Sequence, residues 1–68
     1  VKIVAEFDQI ELACRIAEGC LGIKRPKNAT AQQALNEFNL DSRIGFLKAA
    51  ENAMRYMQEE LNRSGKVN

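Results

Sequence analysis

Six apolar residues, Ile3, Phe7, Ile10, Cys14, Ala17 and Leu21, recur at steps of 4, 3, 4, 3 and 4 along the first third of the chain. A strand repeats every two residues, so this spacing means a helix with a heptad seam. Gly22 follows at once and is a natural helix stop. The pattern predicts a helix over about 3–21. A second apolar group, Leu12, Ile16, Cys20 and Ile23, falls about 120–150° round the axis from the first. Asp8, Glu11, Arg15 and Glu18 are confined to an arc of about 80°. A surface helix needs an apolar stripe of roughly 100°, and this one carries about twice that.

That excess matters because the chain has only 68 residues. A chain of this size buries about 60% of the surface its unfolded form exposes, and domains below roughly 70–80 residues usually need a staple. Cys14 and Cys20 lie about 240° apart on one helix and cannot bridge each other there. They are expected as reduced, buried thiols. The sequence contains no His, and two thiols are too few for a closed zinc site. The remaining staple is a second copy. The sequence therefore predicts a homodimer with Ile3, Phe7, Ile10, Leu12, Cys14, Ile16 and Leu21 at its interface. Gly19, inside the helix, is a candidate for a close helix crossing.

Pro26 breaks the helical period and marks 22–29 as a loop. Thr30 and Gln33 have capping-box spacing and open a short helix over about 31–38. Asn39 suits a left-handed cap at its end, and Asp41 or Ser42 suits the start of the next helix. Ile44, Leu47, Ala50, Met54, Met57 and Leu61 then give a long helix over about 42–63, closed by Gly65. The two Met fall at core spacing. Glu51, Arg55, Glu59 and Arg63 form a ladder of opposite charges on the face expected to meet water. The fold class is thus all-α. Two long antiparallel helices flank a short one, a flexible tail covers 64–68, and two copies complete a four-helix-type bundle. All of 1–68 reads as a single helical domain.

Functional chemistry is sparse. Without His there is no imidazole base, and no phosphate loop, paired-Asp metal site or triad spacing is present. Glu6 sits in an apolar sector of the first helix and Arg43 in one of the last, so the two are a candidate cross-helix pair. No enzyme activity, cofactor, metal or small-molecule substrate is expected. Ten Lys and Arg against nine Asp and Glu leave a net charge of +1, too small for a broad nucleic-acid footprint. One local cluster stands out, Lys24, Arg25 and Lys27, on the loop. With Arg43 and Lys48 it forms a candidate phosphate-binding set. The unit 30–47 also has the layout of a helix-turn-helix. Lys2, Glu6, Asp8 and Glu11 break the N-terminal segment, so no secretory leader or membrane span is expected. The chain begins with Val, as after removal of an initiator Met or in a fragment. The expected setting is the cytoplasm. The expected role is a non-catalytic regulatory or scaffolding module that binds protein. The alternative is a small nucleic-acid-binding regulator.

Overall fold

The computed structural model describes residues 7–64. Ile3 and Glu6 lie outside that range. So do the first residues of the expected helix and the tail beyond Ser64. Three helices follow one another: α1 (Gln9–Leu21), α2 (Ala31–Asn36) and α3 (Leu40–Ser64). Both α2 and α3 pack on α1, so α1 is the centre of an all-α bundle.

Each boundary has a local cause, and several differ from the sequence expectation. Phe7 and Asp8 are not helical. Asp8 is instead the N-cap of α1, its backbone extended and its carboxylate accepting from the Ile10 and Glu11 N–H groups at 3.0 and 3.1 Å. A short acidic side chain here satisfies two amides that the helix leaves unpaired. Gly22 ends α1 in the left-handed region at φ 67°, its N–H donating to the Glu18 carbonyl at 2.9 Å. The expected Thr30–Gln33 capping box is present in both directions, at 3.1 and 2.9 Å. α2 stops at Asn36 rather than near 38, because Glu37 and Phe38 donate three residues back, to Ala34 and Leu35, in a tightened last turn. Asn39 is not the left-handed end of α2 but the start of α3. Its side chain accepts from the Ser42 N–H at 2.8 Å and its carbonyl from the Arg43 N–H at 3.0 Å. The third helix therefore begins at Leu40, and Asp41 and Ser42 lie inside its first turn.

The fully buried apolar set among the described residues is small: Ala13, Cys14, Ala17, Leu35 and Ala50. Leu35 of α2 is its largest member, and burying a Leu is worth about 1.5–3 kcal/mol. Ile10, Leu12, Ile16, Phe38, Phe46 and Leu47 pack partly buried round this cluster. Phe38 and Phe46 meet edge to face, centroids 5.4 Å apart, the arrangement favoured by ring quadrupoles. The Gln9 side-chain amide donates to the Leu47 carbonyl at 3.0 Å and ties the start of α1 to α3. Met54, Met57 and Leu61 are half-buried on the expected inner stripe of α3, while Glu51, Arg55, Glu59 and Arg63 are exposed. Arg63 pairs with Glu60 at 2.9 Å rather than with Glu59, a spacing that is equally within reach on a helix.

Two other expectations change. Cys20 is exposed rather than buried, because it sits in the last turn of α1 beyond the reach of the core. Among the described residues no helix crosses closely at Gly19, where an added Cβ would meet nothing within 4 Å.

Candidate functional site

The loop after α1 does not stand free. After the Gly22 reversal the chain runs back along the acidic side of α1. The Arg25 backbone N–H donates to Glu18 Oε2 at 2.7 Å. The Arg25 guanidinium reaches one turn-pair further, donating from both Nη atoms to the two Glu11 oxygens at 3.2 Å each. Arg15 adds a third bond to Glu11 from Nε, at 3.1 Å. Glu11 and Glu18 are seven residues apart and so share one helix face. That face is a two-point clamp for the loop. The Arg15 and Arg25 hydrogen bonds hold the Glu11 carboxyl below its ordinary range, and the Glu11 bond holds Arg25 more firmly charged.

Folding back forms an open-mouthed pocket of about 150 Å³. Small side chains floor it: Cys14 and Ala17 from α1 and Ala34 from α2. Ile23, Pro26 and Phe38 are its larger walls. Burial raises the Cys14 thiol above its usual range, the dominant cause being loss of water. Such a thiol is a packing group, not a nucleophile. Lys24 and Glu37 bring opposite charges to the pocket edge. Both are exposed.

These contacts redistribute the expected phosphate-binding set. Arg25 is half-buried, its guanidinium committed to Glu11 and its backbone N–H to Glu18. Lys24, Lys27 and Lys48 are exposed. Arg43 is half-buried, with Nη2 donating to the Phe38 carbonyl at 3.4 Å and Nε buried without a partner among the described residues. It supports the end of α2 rather than facing outward. The structure thus leaves Lys24 and Lys27 exposed on the loop and places Arg43 in the packing.

The expected interface residues divide as well. Cys14 is buried, and Ile10, Leu12 and Ile16 are half-buried against the chain's own core. Phe7 and Leu21 remain exposed, at 38% and 52%. The large apolar residues that join them in exposure are Ile23, Leu40, Ile44 and Tyr56. Phe7 lines a second groove with Tyr56, Met57 and Leu61. The clamp was missed in the sequence because Glu11 and Glu18 read as a solvated arc. Their seven-residue spacing, ahead of a basic loop that must turn back at Gly22, was the available signal.

Among the described residues no group of His, Cys, Asp or Glu could hold a metal ion, and no helix is long and apolar enough to cross a membrane. No family model matches the chain, and the searches of curated proteins and of solved structures returned no match.

Proposed function

We propose that this chain is a non-catalytic helical module that works through protein–protein contact, as a homodimer, in a regulatory or scaffolding role in the cytoplasm. The observation that supports this reading most is the poverty of the buried core beside the apolar surface left open. Among the described residues five are fully buried, and one of those five is larger than Cys. Exposed Leu21, Ile23, Leu40 and Ile44 offer the burial that a small chain needs from a partner. The antiparallel sense of α1 and α3 belongs to the same reading, since Phe7 ahead of α1 shares a groove with Met57 and Leu61 late in α3. In the first pocket Glu18 already accepts from the Arg25 N–H and burial raises the Cys14 thiol, which favours binding over catalysis there.

Nucleic-acid binding is the weaker reading, because Arg25, the best phosphate ligand of the loop, is already held by Glu11. Sedimentation equilibrium over a concentration series tests the proposal. A mass of twice 7.6 kDa at micromolar concentration is expected. A folded species of single mass throughout overturns the homodimer.

A further inference from the structure

Resting on the homodimer reading, we infer that the second copy docks at the pocket end of the bundle, over the pocket floored by Cys14, Ala17 and Ala34, and not along the α1 seam. Ile10 and Cys14 of the seam, and Leu12 and Ile16 of the second apolar group, already pack within the chain. The pocket end carries both halves of a contact. It has a hole of about 150 Å³ walled by Ile23 and Phe38, a volume on the scale that takes one benzene-sized apolar group. It also has knobs. Leu21 and Leu40, each two residues along the chain from a pocket wall, are 52% and 61% exposed.

The rim is self-complementary too. Lys24 and Glu37 both line the pocket, and neither has an ion-pair partner among the described residues. A rim of one sign would call for an oppositely charged partner. A rim of both signs lets Lys24 of one copy meet Glu37 of the other twice over, as a two-fold contact requires. The loop wall is pre-set by the Arg25 bonds to Glu11 and Glu18, so little ordering is left for association.

The test is sedimentation of the full chain and its variants, with helicity read by circular dichroism. Leu40→Asp is expected to weaken association about a hundredfold while helicity stays, because Leu40 is exposed. Tyr56→Asp, equally exposed, is expected to leave association unchanged. Lys24→Glu and Glu37→Lys are each expected to weaken it about fivefold, and the double variant to restore it. Restoration distinguishes pairing between copies from any effect on the fold. A dimer that persists in Leu40→Asp, or a charge-swapped double variant no better than the singles, overturns this placement and leaves the homodimer standing. A wild-type chain that stays single overturns both, and leaves a different protein as the occupant.

Discussion

Arg25 closes on both carboxylate oxygens of Glu11, fourteen residues earlier in the chain, with each N···O distance at 3.2 Å. Two parallel bonds of this kind fix orientation as well as position. Together with the Arg25 N–H on Glu18 they determine where the loop runs, and hence that a pocket exists beside α2.

The clamp makes stability depend on acid. The folded-state pKa of Glu11 lies below its unfolded value, first through Arg15 and then through Arg25. Its contribution is therefore fully present above the unfolded carboxylate range, and is lost as pH falls through the lower folded value. Melting temperature followed from about pH 7 down to about pH 2 should fall less steeply for Glu11→Gln than for the wild type. Identical acid limbs would show that the pairing contributes nothing in solution.

Leu35 anchors α2 with no exposed surface. Leu35→Ala removes the largest core side chain from a six-residue helix that has little else to hold it. A loss of about 2–5 kcal/mol is expected in urea unfolding. A loss below about 1 kcal/mol would mean that α2 packs elsewhere.

Gly19 and Gly45 lie in helices where a Cβ would meet open space. Alanine at either position should raise stability by about 0.5–1 kcal/mol through helix propensity alone. Gly22, at φ 67°, should respond in the opposite sense to the same substitution, since an L side chain is strained there. Chemical denaturation of the three variants checks the ordering, which a stabilising Gly22→Ala would contradict.

The two thiols should separate in labelling. Exposed Cys20 is expected to react with iodoacetamide in the native protein, whereas Cys14, buried and with its thiolate disfavoured, should react only on unfolding. Peptide mass spectrometry after a timed pulse reads both. Equal native rates would place Cys14 on the surface.

Lys24 and Lys27 are the exposed cations of the loop, and two phosphate contacts give only a shallow salt dependence. Elution from heparin at low salt is therefore expected, and should change little for Lys24→Ala with Lys27→Ala. Tight retention lost in that double variant would revive the nucleic-acid reading.

Sequence periodicity carried the all-α class, the Gly22 stop and the Thr30–Gln33 box, because these depend on neighbours within a helical turn. It carried the inner stripe of α3 from Leu47 to Leu61 for the same reason. Helix starts were misplaced where two residues competed for one role. Asp8 read as a surface charge and Asn39 as an end, yet each caps the helix that follows. The site itself was half legible. Lys24, Arg25 and Lys27 stood out as a cluster, but only the chain reversal at Gly22 decides that Arg25 meets Glu11. Burial of Leu12 and Ile16 was likewise invisible to a helical wheel, which counts apolar width on one helix but not how two neighbours share it.

After Ala50 no side chain of α3 is fully buried among the described residues, although the helix continues to Ser64. Ala50 is the one fully buried residue of the rod, so cover is thickest near its middle and thinner towards both ends, with Leu40 at the front 61% exposed. Resilience follows the same profile, with amide protons exchanging latest around Ala50 and sooner towards either end. Such a helix frays from its ends, and its rear can loosen while the loop stays clamped to Glu11 and Glu18 of α1.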